Sequence, residues 1–196
     1  APLIHEDYKN NISVSLIKTN GDVEKGFRES DYVREDTFRT APQAQAPIEA
    51  HVFISRWELD GSLTHWSSHQ RPFELQRVLA RMVGLAVDRV RVILPMVGGG
   101  FGNKVPLYPH DILSAHLSRL TGKPVKIVLN REEVFHATNQ RHPAILTLKT
   151  GVKRDGTLIC QSLKLVADGG AYCGTGHALL NIAHHAMLLP YKMQGC

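Results

Sequence analysis

The stretch that most constrains this chain is residues 90–104, VRVILPMVGGGFGNK. A run rich in Val and Ile reads as a buried strand over 90–97, interrupted by Pro95. It ends in Gly98, Gly99 and Gly100, which can take positive φ or lie against a neighbour with no side chain between. Phe101, Gly102, Asn103 and Lys104 follow. Glycine punctuation on its own marks a turn. A tight glycine turn after a strand can also aim backbone N–H groups at an anion or oxyanion. Two nucleotide motifs fail on spacing. Lys104 follows Asn103 and precedes Val105, which is not the Gly-Lys-Ser/Thr end of a P-loop. The dinucleotide fingerprint would need glycine where Asn103 stands.

The rest of the chain reads as α+β, with two hairpins and at least three helices packed on sheet. Residues 1–11 read as a linker and 12–18 as a short edge strand. Residues 22–30 form a short helix and 31–40 a strand. Strands over 48–59 and 62–68 join at Asp60-Gly61, a hairpin signal. Pro72 then opens a helix whose apolar face is Leu75, Val78, Leu79 and Met82, with Gly84 as its stop. Residues 105–109 are extended by their prolines. A helix over 111–120 presents Leu113, Leu117 and Leu120 on one face, with Gly122 and Pro124 after it. A strand over 125–129 and a short helix over 131–137 follow. Strands over 144–153 and 157–167 flank Asp155-Gly156, and a last apolar helix runs over 177–189, ended by Pro190.

Two polar residues flank this frame. Glu49, near the start of the first hairpin, reads as a structural acid in a hydrogen bond or ion pair. Gln70 sits at the junction of strand and helix, a post that amides often fill as caps. A neutral amide there could also donate a hydrogen bond without adding charge.

GGGFGNK resembles the glycine-phenylalanine-glycine loop of the molybdenum hydroxylases, the xanthine dehydrogenase and aldehyde oxidase family. The longer VGGGFGNKVPLYP is similar to large subunits of the carbon monoxide dehydrogenase type. Arg141-His142-Pro143, taken as structural, and Asp168-Gly-Gly-Ala-Tyr172 also match the family. The likeness runs from about Asn20 to the end of the chain. It implies that residues 1–20 are a linker or edge segment. Residues 21–196 are then part of a molybdopterin-binding domain that continues beyond Cys196, and both ends look cut. It further implies that Phe101 and Gly102 lie against the oxo face of molybdenum and the pterin, supported by Gly99 and Gly100. Gln70 would hydrogen-bond an oxo ligand, and no protein side chain would bind the metal directly.

The implied activity is hydroxylation of an aldehyde, N-heterocycle or similar small substrate with oxygen derived from water. The implied cofactor is molybdenum–molybdopterin, with the cytosine dinucleotide form left open. The [2Fe–2S] clusters and FAD would sit on partner domains or subunits. The catalytic glutamate, and the loop carrying an arginine or a copper-bearing cysteine, would lie beyond Cys196, so this piece alone would be inactive. Purine-oxidising relatives carry a glutamate where Val105 stands, and an apolar Val105 in the substrate pocket argues against a purine. A non-catalytic cofactor-binding or structural module that kept the loop without the metal remains the alternative.

Composition narrows the other classes. The chain has 196 residues, 43% hydrophobic and 21% charged, which is globular. A net charge of +5 is scattered, without the basic block interleaved with aromatics that nucleic acid selects. Apolar runs fall short of the roughly 20 residues a membrane span needs. Cys160, Cys173 and Cys196 form no CxxC, and buried thiols in a reducing cytoplasm are the expectation. The histidines, with His65 and His69 on a strand and His177, His184 and His185 on the last helix, match no metal motif.

Overall fold

The structure, a computed structural model, describes residues 2–172, 174–188, 191–193 and 195–196. Cys173, the Leu189–Pro190 helix stop and the His184 side chain lie outside the described residues. The described residues form five α-helices and seven strands in two sheets, the α+β class expected. The chain divides into two compact units, Ala44–Arg141 and the pairing of Ala1–Gln43 with His142–Cys196.

The unit Ala44–Arg141 carries the glycine loop. Its strands are β2 (Val52–Trp57), β3 (Leu63–Ser67), β4 (Val90–Ile93) and β5 (Val125–Val128), numbered after β1 (Tyr32–Thr40) of the other unit. They lie in the order β4-β3-β2-β5. β2 and β3 pair antiparallel. Their turn is longer than two residues: the Gly61 N–H donates to Glu58 O at 3.0 Å, and Gly61 takes φ +81°. β3 and β4 are parallel, so the chain must cross over between them, as parallel pairs require. The crossover is α2 (Pro72–Val83), with Pro72 in its first turn and Gly84 in the left-handed region as its cap.

α2 buries Leu75, Leu79, Ala80 and Val83. Met82, assigned from the sequence to this face, points to solvent instead. The helix is rotated so that Ala80 and Val83 meet Leu63, Val90 and Ala115 in the core. The helix that follows, α3 (Pro109–Thr121), departs further. Leu113, Leu117 and Leu120 face outward, and the buried face is Asp111, Ser114, Ala115 and Ser118. That face is polar because β2 and β3 supply partners for it. The Ser55 hydroxyl contacts Ser114 Oγ at 2.9 Å and His65 Nδ1 at 2.8 Å, and His65 Nε2 lies 3.1 Å from Asp111 Oδ1. Buried polar groups that find such partners escape the desolvation penalty that otherwise excludes them.

β4 stops at Ile93 rather than running to Val97. It is an edge strand with β3 as its only neighbour, and Pro95 has no N–H to donate. α4 (Arg131–Ala137) opens with a capping box in which the Asn130 side chain and Glu133 each satisfy the other's N–H.

In the other unit, β1, β6 (Ala144–Val152) and β7 (Leu158–Ala167) form an antiparallel sheet in the order β1-β6-β7. α1 (Val23–Glu29) begins at an Asp22 cap. Its Gly26 is obligatory for packing, since a Cβ there would sit 2.7 Å from Cys160 Cβ. Residues 12–18 form no strand; their backbone finds no ladder, and pairing starts only at Asn20, whose N–H donates to Cys196 O at 2.7 Å. α5 (Gly176–Leu188) is the last helix.

Candidate functional site

Gln70 stands in the short link between β3 and α2, and the fold fixes that link tightly. The His69 ring is buried. Its Nδ1 accepts from the Arg71 N–H at 3.0 Å, and its Nε2 reaches Pro106 O at 3.2 Å. One nitrogen accepts and the other donates, which is the pattern of a neutral imidazole. Burial pushes His69 below the ordinary histidine range, in keeping with that state. The Gln70 N–H then donates to Lys104 O at 2.7 Å, tying the link to the far end of the glycine loop.

The side chain of Gln70 completes the tie. Its Oε1 accepts from the Gly102 N–H at 2.9 Å and the Lys104 N–H at 3.2 Å. Two backbone donors on one oxygen fix which end of the amide is oxygen. Nε2 therefore faces away from the loop backbone, with no acceptor among the described residues. Gly100 packs beneath the amide; a Cβ there would lie 2.6 Å from Gln70 Oε1 and 2.9 Å from its Cδ. The sequence pointed to Gln70, Gly99, Gly100, Phe101 and Gly102, and the structure brings all five into one loop and its brace.

The loop is held in an unusual conformation. Gly99 and Gly102 take φ of +94° and +88°, and Phe101, which is not glycine, takes +52°. A bulky residue in the left-handed region is strained and persists only where its surroundings dictate it. Here the Asn103 N–H closes the turn onto Gly100 O at 2.8 Å. Asn103 is anchored by Thr138 at 3.0 Å through Nδ2 and by the Tyr108 hydroxyl at 2.6 Å. Burial pushes Tyr108 up to about 12, so it stays a hydroxyl donor. Phe101 is 75% exposed. The N–H groups of Gly99, Gly100 and Phe101 meet no acceptor among the described residues. Val105 is half-buried immediately after the loop, its N–H 3.4 Å from Gly102 O.

Glu49 and Lys104 form the underside of the site. Lys104 Nζ donates to Glu49 Oε2 at 2.5 Å, and its side chain is 1% exposed. Glu49 also accepts from the Gly98 N–H at 2.9 Å and the Ser68 hydroxyl at 3.0 Å. Burial alone would raise its pKa, but these three donors prevail and hold it below the usual carboxylate range. An acid so engaged is an ion-pair partner rather than a proton acceptor. Glu49 was legible in the sequence as a structural acid, whereas Lys104, Asn103 and His69 were not. The burial of the first two, within a glycine-rich segment, gives no periodic signal.

One feature that mimics a catalytic grouping does not reach a substrate. Asp111, His65 and Ser55 are connected like a charge-relay set, but all three are wholly buried. Among the described residues, no group of three or more His, Cys, Asp or Glu side chains gathers as a metal site. No helix among them is long and apolar enough to cross a membrane.

A family model described as the molybdopterin cofactor-binding domain matches residues 4–196. The chain is 37% identical over 164 residues to the probable hypoxanthine oxidase of Escherichia coli (strain K12), covering 84% of this chain and 17% of that protein. It is 35% identical over 191 residues to the nicotinate dehydrogenase large molybdopterin subunit of Eubacterium barkeri, covering 97% and 44%. Its fold matches the reconstituted CO dehydrogenase from Oligotropha carboxidovorans with a TM-score of 0.70 at 28% identity, over 77% of this chain and 19% of that one. The chain thus spans less than half the length of each.

Proposed function

Because the chain belongs to the molybdopterin cofactor-binding domain family, we propose that Gln70 and residues 99–102 form one wall of a molybdenum–pterin site. The whole protein would be an oxidoreductase that hydroxylates an aldehyde, N-heterocycle or similar small substrate. When bound, the molybdenum–pterin group supplies the oxygen transfer and accepts the electrons. The observation that carries the reading is the orientation of Gln70. Its oxygen is consumed by the Gly102 and Lys104 N–H groups, which leaves Nε2 as an outward, neutral donor beside an exposed loop. An oxo ligand is an acceptor, and a neutral amide donates to it without adding charge.

The donor set fits the group in a second way. The N–H groups of Gly99, Gly100 and Phe101 have no acceptor among the described residues, and successive backbone donors suit anionic oxygens. The Phe101 ring would offer an apolar wall at the mouth of the site, and Val105 would line the substrate side. Val105 adds no charge there, which favours a substrate without the anchoring demand of a purine. Electrons would leave through [2Fe–2S] and FAD groups on other domains or subunits. The buried free thiols of Cys160 and Cys196 suit a reducing cytoplasm.

Elemental analysis and pterin assay of the intact protein test this. The expected result is about one molybdenum and one pterin per chain, and loss of both in Gly100→Ala, whose new Cβ would displace the Gln70 amide. A folded intact protein without molybdenum would turn the reading toward a cofactor-free structural module.

A further inference from the structure

We infer that Glu49 is the positioning residue of the glycine loop, the pin through which the loop and the Gln70 amide keep their alignment. This rests on the site proposed above. A single carboxylate holds both ends of the loop: the Gly98 N–H at its start, at 2.9 Å, and the Lys104 ammonium at its end, at 2.5 Å. Its other oxygen takes the Ser68 hydroxyl, at 3.0 Å, two residues before Gln70. The Glu49 N–H reaches Gly98 O at 3.3 Å, so the contact with Gly98 is made in both directions. The fit is close enough that a Cβ on Gly98 would lie 2.6 Å from Glu49 Cβ.

The consequence passes to Gln70 through Lys104. The Lys104 backbone gives its N–H to Gln70 Oε1 and takes the Gln70 N–H on its carbonyl. Its side chain, buried to 1% exposure, has Glu49 as its ion-pair partner. Displacing the Glu49 carboxylate therefore frees the loop at residue 98 and strands the Lys104 ammonium beneath it. The amide whose nitrogen faces the cofactor is then no longer fixed. The strained φ of Phe101 belongs to the same device, because a positive φ on a bulky residue lasts only while both loop ends are held. The carboxylate is not placed to react with a substrate, since both its oxygens are engaged by the Lys104, Gly98 and Ser68 donors.

Hydrogen–deuterium exchange on the intact protein, read for peptides spanning residues 96–105, tests the inference together with molybdenum content. In Glu49→Gln, exchange of the loop amides is expected to rise about tenfold or more, the loss expected when a charge-assisted bond goes. The α2 and α3 amides should be unchanged, and molybdenum should fall to less than about half. Glu49→Gln combined with Lys104→Met removes the stranded charge. Tm should then recover, while loop exchange and molybdenum loss should not. Unchanged loop exchange in Glu49→Gln overturns the inference. So does recovery of loop exchange along with Tm in the double variant, which would reduce the pair to a stabilising contact. If the unaltered protein carries no molybdenum, the site reading fails. The exchange data still decide the role of Glu49.

Discussion

Replacing Gln70 by glutamate separates the two jobs the structure gives its side chain. The oxygen accepts from the Gly102 and Lys104 N–H groups at 2.9 and 3.2 Å. A carboxylate accepts both as well or better, since charge-assisted bonds are roughly twice as strong as neutral ones. Loop geometry should survive, and Tm should stay within about 2 °C, because less than about 1 kcal/mol changes hands. The outward Nε2 donor, however, is gone, and a negative charge replaces it. Loss of one preorganised donor where charge develops lowers kcat by about 10²–10³. Added repulsion places Gln70→Glu at or beyond the upper end. Gln70→Ala makes the contrast: it loses the donor and also leaves two backbone N–H groups without their acceptor, at about 1–2 kcal/mol of local stability. The assay is steady-state turnover of the intact protein with an aldehyde or N-heterocycle and an artificial electron acceptor, beside thermal melts of both variants. Turnover of Gln70→Glu within about threefold of the unaltered protein, with cofactor bound, would refute a donor role.

Two further predictions concern the frame. Asp111→Ala should cost about 3–5 kcal/mol in chemical denaturation, because it strips Nε2 of the wholly buried His65 of its partner and the Tyr108 N–H of its cap; a cost below about 1 kcal/mol would contradict the buried network. His51 is 3% exposed, and neither ring nitrogen makes a well-formed hydrogen bond among the described residues. Burial holds its pKa below the ordinary value, so the unfolded chain binds the proton first. Its contribution to stability is whole above about pH 6.5 and declines as pH falls below that. His51→Phe, packed against Phe53 and Tyr108, should remove that decline in melts at about pH 7 and pH 5.5; an unchanged slope would exclude His51 as its source.

Much of the frame was legible because single residues announce it. Gly84 and Gly122 end α2 and α3 in the left-handed region, and Gly61 and Gly156 turn the two hairpins with positive φ. These follow from the missing Cβ, a local property. Which face α3 buries was not legible. Its leucines make the expected stripe, but Ser55 and His65 on neighbouring strands satisfy its serines and Asp111, so the polar face went inside. The strand expected over 12–18 failed because an alternating pattern cannot supply a partner strand. At the site, Gln70 and the glycines were recognisable as a motif. The Glu49–Lys104 pair joins residues 55 positions apart, and only the fold puts them together.

In the proposed site the Gln70 amide nitrogen faces a molybdenum centre beside the glycine loop. A crystal structure of the intact protein with its cofactor measures this directly. Gln70 Nε2 should lie within about 3 Å of an oxygen on the metal, hydrogen-bonding range, with the Phe101 backbone on the same side. A metal bound elsewhere, or a Gln70 amide turned so that its oxygen faces the cofactor, would contradict it.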